Sequence, residues 1–130
     1  MNVKRFLLVF VLSCFCGVAM AQESQSRYVR LAELEIDSAQ ADAFAAATRE
    51  VGQASVRSEE GCLALYAVAE KDNPSRVRVF EIYRDPAAYQ AHLQTAHFKK
   101  FRTTTETMVK ARKLMDAVPV SLATKPGVTP

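Results

Sequence analysis

The two histidines of the chain, His92 and His97, are the residues with the clearest potential for chemistry. An imidazole titrates near neutral pH, so it can act as a general base or acid in a pocket. Five residues of a continuous α-helix turn through about 500°, which would leave the two rings about 140° apart. On that geometry the histidines share no ligand, and no Cys, His or Asp cluster offers metal spacing. The sequence therefore predicts no metal site. On spacing alone, His92 would fill a polar gap in the core and His97 would hydrogen-bond near the helix end; the alternative, which we carry forward as a prediction, is a catalytic His92 and a substrate-binding His97.

Glu81 is the second catalytic candidate, because its charge conflicts with its position. Residues 76–84 (RVRVFEIYR) alternate like a strand, and Glu81 falls in phase with the apolar set. The residues in phase with it are Val77, Val79 and Tyr83. A carboxylate on an apolar face is costly unless it is paired or hydrogen-bonded. It could orient the imidazole of His92, or it could pair with an arginine such as Arg30 or Arg78 for structural reasons.

Three tyrosines could line a flat pocket for an aromatic substrate: Tyr66, Tyr83 and Tyr89. We predict that they bind substrate together with His97, although at least one is expected to be a core residue with its hydroxyl at the edge. Cys62 follows a glycine turn and begins a strand. No base is indicated near it, so a buried structural thiol is expected rather than a nucleophile.

The first 21 residues have the composition of a secretory signal peptide. A basic pair precedes an uncharged apolar run, residues 6–18, which is too short for a comfortable membrane span. The small-x-small signature Ala19-Met20-Ala21 follows, so cleavage is predicted before Gln22, with a periplasmic or secreted location and no stable membrane span afterwards. A competing interpretation is lipoprotein processing at Cys14, but the residues before that cysteine match a lipoprotein box imperfectly.

Cleavage at that site would leave 109 residues, the size of one small domain. The signal holds two of the 17 basic residues and none of the 14 acidic ones, so the mature net charge is +1. That value gives no reason to expect a nucleic-acid surface. Cys62 is the one cysteine left, which excludes an internal disulfide. We expect a flexible segment at 22–27, one domain at 28–123 and a flexible tail at 124–130.

Apolar residues recur along this domain either every second residue, as in a strand, or about every 3.6 residues, as in a helix. These patterns follow one another in the order β-α-β-β-α-β. The predicted strands are residues 28–36, 62–70, 76–84 and 116–123, and the predicted helices are residues 38–57, 86–101 and 103–113. Asp85 followed by Pro86 is a strong helix start, and Pro119 implies an edge position for the last strand. The order predicts a ferredoxin-like α+β fold, with a four-stranded antiparallel sheet and two helices on one face.

The second face of that sheet has no predicted helix to cover it. Residues 62–70 nevertheless carry apolar side chains on both faces. A second copy of the chain is the simplest cover, so we expect a homodimer packed sheet to sheet.

Two stretches of the sequence resemble a known family. Residues 80–83 precede Asp85, Ala88, His92, Thr95 and His97-Phe98-Lys99, and Glu60-Gly61-Cys62-Leu63 with Tyr66 opens the second strand. In order and spacing these stretches resemble the antibiotic biosynthesis monooxygenase domain family, over about residues 28–122. The resemblance implies a small dimeric ferredoxin-like α+β barrel. It also implies one of several chemistries: oxidation of quinol-type aromatics with O₂ and no metal or flavin, haem cleavage, or isomerisation of a phosphorylated autoinducer sugar.

The chain departs from two of these chemistries. The haem-cleaving members resemble each other in an asparagine on the first strand and a tryptophan near the ligating histidine. This chain has no tryptophan, and its first strand has no asparagine. An exported chain would not meet a phosphorylated cytoplasmic sugar. We therefore predict a monooxygenase-like enzyme without cofactors, in which His92, oriented by Glu81, deprotonates a small quinol. The alternatives are a small-molecule-binding dimer without turnover, and an isomerase or tautomerase.

Overall fold

A computed structural model of the protein describes residues 27–127. The strands are β1 (Tyr28–Ile36), β2 (Cys62–Glu70), β3 (Asn73–Tyr83) and β4 (Val109–Ala117), and the helices are α1 (Ala41–Ser58), α2 (Pro86–His92) and α3 (Ala96–Thr105). One turn of 3₁₀ helix, Ser38–Gln40, precedes α1. The predicted signal peptide, nearly all of the segment at 22–27 and the last three residues of the tail lie outside the described residues.

The strands form one antiparallel sheet in the order β2-β3-β1-β4. Both neighbours of β1 are therefore distant in sequence from it, and β2 and β4 are the edges. This is the ferredoxin-like arrangement that the alternation of strands and helices predicted. No helix within the described part of the chain is long and apolar enough to cross a membrane.

The core lies between the helices and one face of the sheet. Its buried centre is Ile36, Phe44, Val77 and Val79. Helix α1 buries one face at helical spacing, and the residues on it are Phe44, Thr48, Val51 and Ser55. Each fully buried apolar side chain of this kind contributes about 1.5–3 kcal/mol through removal from water. Helix α1 lies against β2 and α3, and this packing positions the end of α1, where the candidate site begins.

The helix predicted over residues 86–101 is interrupted. Helix α2 ends at His92, and Thr95 adopts an extended conformation and caps the start of α3, its Oγ1 accepting a hydrogen bond from the amide of Phe98 at 3.3 Å. The same hydroxyl donates to the carbonyl of His92 at 2.8 Å. A threonine that satisfies free amides in this way favours a new helix start over continuation of the old helix. The break therefore changes where every residue after 95 points.

The prediction for the end of the domain is also wrong. Residues 109–117 form β4 rather than the second part of a helix, and Pro119 lies beyond the strand rather than inside it. The strand pairs with β1 from Val109 to Ala117. Its two lysines and one arginine are typical of an exposed edge strand, where charge discourages pairing with another chain. Long-range pairing with β1 outweighed the local helical pattern here.

Candidate functional site

Three side chains meet beside the end of α1. Glu59 directly follows α1, His92 is the last residue of α2, and His97 lies in the first turn of α3. Nδ1 of His92 lies 3.0 and 3.1 Å from the two carboxylate oxygens of Glu59, and Nε2 of His97 hydrogen-bonds to one of those oxygens. The His92 side chain is only 2% exposed, that of Glu59 is 11% exposed and that of His97 is 24% exposed. We call this set the Glu59 cluster.

The break between α2 and α3 is what brings the two histidines together. Their ring centroids are 6.4 Å apart, and both rings contact Glu59. The prediction that the histidines cannot share a ligand is therefore wrong. It assumed a continuous helix with 100° of rotation per residue, and the extended Thr95 removes that rotation.

The charge of Glu59 determines which ring nitrogen of His92 donates a hydrogen bond. Burial alone would raise the pKa of Glu59, but the hydrogen bonds from His97 and His92 together outweigh it and hold that pKa below its usual range. Glu59 is therefore a carboxylate at neutral pH and can only accept hydrogen bonds. Nδ1 of His92 must then donate, so in the neutral imidazole Nε2 carries the lone pair. This is the arrangement of an oriented general base.

A cavity of about 280 Å³ lies between the sheet and the helices, and His92 forms part of its wall. Most of the lining is apolar, including Phe44, Leu93, Phe98 and Phe101. The polar side chains on the wall are Arg30, Thr48, Glu81, Tyr89, His92, Arg102, Thr105 and Arg112. The Thr48 hydroxyl is buried and has no hydrogen-bond partner among the described residues. A small apolar cavity with a few convergent polar groups suits one or two aromatic rings that carry hydroxyls.

Glu81 faces this cavity, as its phase in β3 predicted. The expected pairing with His92 is not found, because the carboxylate that hydrogen-bonds to His92 is Glu59. Burial raises the pKa of Glu81 to about 7, and the nearby charge of Arg30 offsets that effect only in part. Arg30 is its cross-strand neighbour and is bound by Asp116 at 2.7 Å. Glu81 is thus an acid that titrates near neutrality in the cavity wall.

The three predicted substrate-binding tyrosines occupy three different environments. Tyr89 lines the cavity, with the Arg30 guanidinium 4.7 Å from its ring centroid. Tyr83 is fully buried behind the site, its ring 5.3 Å from Tyr89 and 5.4 Å from His92, and it does not line the cavity. Tyr66 lies on the opposite face of the sheet and stacks on Phe80. Tyr89 is therefore the tyrosine placed to touch a ligand in this cavity. His97 also lies outside the cavity wall, hydrogen-bonded to Glu59.

Comparison with known proteins agrees with this architecture. The sequence profile described as Antibiotic biosynthesis monooxygenase matches residues 27–104. The chain belongs to that family. A solved "Putative antibiotic biosynthesis monooxygenase" from Bacteroides thetaiotaomicron is 41% identical over 78% of this chain and 97% of that chain, with a TM-score of 0.75. Another so described, from Nitrosomonas europaea, is 26% identical over 72% of this chain and 99% of that chain, with a TM-score of 0.68. No match was found among curated proteins.

Glu59 is the site residue that the sequence analysis did not predict. The acidic residue singled out at this turn was its neighbour Glu60, which is exposed and pairs with Arg84 at 3.0 Å. A glutamate at the end of a helix usually faces solvent, and its two partners lie 33 and 38 residues further along the chain. One signal was present, namely two adjacent acids just before Gly61, where the chain must turn sharply back into β2.

Gly61 holds α2 close to the Glu59 cluster. A Cβ added at Gly61 would overlap the Cβ of Ala88, so α2 packs directly on the backbone of the turn. The carbonyl of Gly61 also accepts a hydrogen bond from the amide of Arg84 at 2.9 Å. The thiol of the next residue, Cys62, is buried, and burial followed by the charges of Glu59 and Glu81 raises its pKa to about 12. That thiol stays protonated and is no nucleophile at neutral pH.

The substitution Gly61→Ala should push α2 away from the turn and destabilise the domain by about 1–3 kcal/mol, the usual cost of overpacking. The double variant Gly61→Ala with Ala88→Gly frees the same space and should recover the lost stability. About 1 kcal/mol should remain lost, because a glycine inside a helix is less stable than an alanine. Gly52→Ala is the matched control, because the nearest atom there is the end of the flexible Leu65 side chain at 3.2 Å. Urea unfolding measures all three. Equal midpoints for Gly61→Ala and Gly52→Ala would contradict the close packing.

Proposed function

We propose that this chain is an exported monooxygenase that oxidises a small quinol-type aromatic with O₂ and without a cofactor. The observation that carries the proposal is a buried imidazole, His92, whose Nδ1 is held by the carboxylate of Glu59 while its ring forms part of the wall of a small aromatic-lined cavity. Membership of the antibiotic biosynthesis monooxygenase family supports it. Export rests on the signal-like pattern of residues 1–21, and the N-terminal sequence of protein recovered from a periplasmic fraction would test it.

The first step is removal of a phenolic proton by Nε2 of His92. The imidazolium that results is stabilised by Glu59, which faces its other nitrogen. The substrate becomes an electron-rich phenolate, and it passes electrons to O₂. One oxygen atom then bonds to the ring carbon, and the other leaves as water with the two hydrogens that the substrate loses. The substrate itself supplies all four electrons, so the reaction balances without a separate reductant.

Four other side chains of the cavity wall have matching roles in this scheme. The guanidinium of Arg30, held by Asp116, provides a fixed positive charge for the phenolate. Tyr89 and Phe98 offer faces against which a ring can pack. Glu81, with a pKa of about 7, is close to half protonated at neutral pH and can return a proton to the departing oxygen. In this scheme Glu81 acts on the substrate and Glu59 orients the base.

The test is O₂ uptake by the chain from Gln22 onward, purified with a chelator and supplied with reduced menadione. Uptake above the rate of spontaneous oxidation, with an oxygenated product, supports the proposal. Thermal stabilisation by quinols without product would instead favour a binding module. Conversion of the substrate without O₂ uptake would favour an isomerase or tautomerase.

We also propose that two copies pack through the face of the sheet that lies away from the helices. Register places Tyr66, Val68 and Phe80 on that face, and the first two are 37% and 63% exposed. Tyr66 and Phe80 stack with ring centroids 6.4 Å apart, which gives an apolar centre around which two sheets can meet.

The substitution Val68→Asp should convert the dimer to a monomer, because it would bury two carboxylates in an apolar interface. Sedimentation velocity on the protein from Gln22 onward measures the change. Val56→Asp is the control, since Val56 is similarly exposed at 48% but lies on α1, on the other side of the sheet. A sedimentation coefficient for the unsubstituted chain equal to that of a monomer would contradict the proposal.

A further inference from the structure

We infer that the Glu59 cluster is also a binding site for a divalent transition-metal ion, with Zn²⁺ as the probe. One ligand atom from each of Glu59, His92 and His97 lies within 4.8 Å of both others. Two imidazole nitrogens and one carboxylate oxygen are a set that zinc and its neighbours in the periodic table accept, with open positions left for water.

The separation of the His92 and Glu59 ligand atoms is close to the one that a bound ion requires. Ligand atoms 2.0–2.2 Å from a tetrahedral ion lie about 3.4 Å from one another. Nδ1 of His92 already lies 3.0 and 3.1 Å from the two oxygens of Glu59. All three ligand atoms lie within 4.8 Å of one another, so an ion would replace the hydrogen bonds of both histidines to Glu59 after side-chain movement.

The backbone that holds these ligands is well anchored. The amide of Glu59 donates to the carbonyl of Ser55 at 2.9 Å, which continues the hydrogen bonding of α1. Thr95 fixes the ends of α2 and α3 on either side of it through its two hydrogen bonds. Glu59 and His97 are partly exposed to solvent, whereas His92 is buried.

Metal binding would switch off the base that the proposed function assigns to His92. A neutral imidazole carries one proton, and without metal that proton sits on Nδ1 and is donated to Glu59. An ion bound at Nδ1 forces the proton onto Nε2, which then has no lone pair with which to accept a proton from substrate. The site thus predicts inhibition by Zn²⁺. This consequence rests on the proposed function, whereas the binding of metal does not.

The direct test is calorimetric titration of the chelator-treated chain with Zn²⁺, together with Co²⁺ absorbance to report the ligand set. One ion per chain is expected, and Co²⁺ should give the strong visible bands of a four-coordinate site. His97→Ala and Glu59→Gln should each weaken binding by at least about tenfold, since even residues that only orient ligands contribute that much. Glu60→Gln removes the adjacent exposed acid and should bind as the unsubstituted chain does. Circular dichroism checks that each variant is folded. If His97→Ala does not fold, His97→Asn takes its place in the titration.

Two results would overturn the inference: no saturable Zn²⁺ binding, or equal affinity in the His97 variant and the Glu60→Gln control. The oxygen assay separates this inference from the proposed function. Metal binding in a chain that never consumes O₂ supports the site and counts against the monooxygenase. Oxygen uptake that persists when the site is saturated with Zn²⁺ would overturn the predicted inhibition.

Discussion

The variant His92→Gln is expected to consume O₂ with reduced menadione about 10²–10⁴-fold more slowly than the unsubstituted chain, the usual contribution of a general base. Glutamine keeps most of the volume of the buried ring and can still hydrogen-bond to Glu59, but it cannot take up a proton at neutral pH. The rate is measured as O₂ uptake above that of a protein-free sample, and circular dichroism confirms that the fold is retained.

Glu59→Gln should lose less activity than His92→Gln, because the imidazole remains but its tautomer is no longer fixed. Lys99→Ala, on the exposed side of α3, is the control and should keep the full rate. Equal rates for His92→Gln and Lys99→Ala would rule out His92 as the base. A rate for Glu59→Gln equal to that of the unsubstituted chain would show that the carboxylate does not orient it.

The second large effect is on stability. Because burial raises the pKa of Glu81 from 4.5 to about 7 in the folded chain, the folded state binds more protons than the unfolded state between those pH values. The free energy of unfolding should therefore fall as pH rises from about 4.5 to 7 and then level off. The full loss is on the order of 3 kcal/mol, because each tenfold change in proton affinity corresponds to about 1.4 kcal/mol. Glu81→Gln cannot ionise, so at pH 8 it should be more stable than the unsubstituted chain by up to about that amount.

Urea unfolding at pH 5 and pH 8, at one fixed protein concentration, measures this effect. The two proteins should have similar stability at pH 5 and should diverge at pH 8. Glu35→Gln, at an exposed position near the end of β1, is the matched control and should follow the unsubstituted chain at both pH values. Parallel pH profiles for Glu81→Gln and the unsubstituted chain would show that the Glu81 carboxyl is not desolvated.

The sequence predicted the fold well wherever a local pattern and the long-range packing agree. The bounds of β1 and β2 agree with the prediction, and the bounds of α1 are close to it, because each element has one periodic apolar face that meets the core. The prediction failed at β4, whose strand state depends on pairing with β1, a partner about 80 residues earlier. Local propensity cannot report a partner that distant.

The site was predicted only in part, for a related reason. Glu81 was found because its phase within one strand could be read locally, and His92 because imidazoles are rare in this chain. The partner of His92 was missed because Glu59 lies 33 residues earlier in the chain and meets it only in the folded domain. The spacing of His92 and His97 was then misinterpreted, because one hydrogen-bonded threonine at position 95 ends the helical rotation between them.

The central place of β1 in the sheet has a consequence for synthesis. Among the described residues, β1 is the first strand to be synthesised and β4 the last, and the two are partners, so the sheet cannot close until residue 117 has been added. Folding should be slow for a domain of this length, since so many contacts join distant parts of the chain. A product truncated before residue 109 would leave one side of β1 unpaired, as an aggregation-prone template for neighbouring chains.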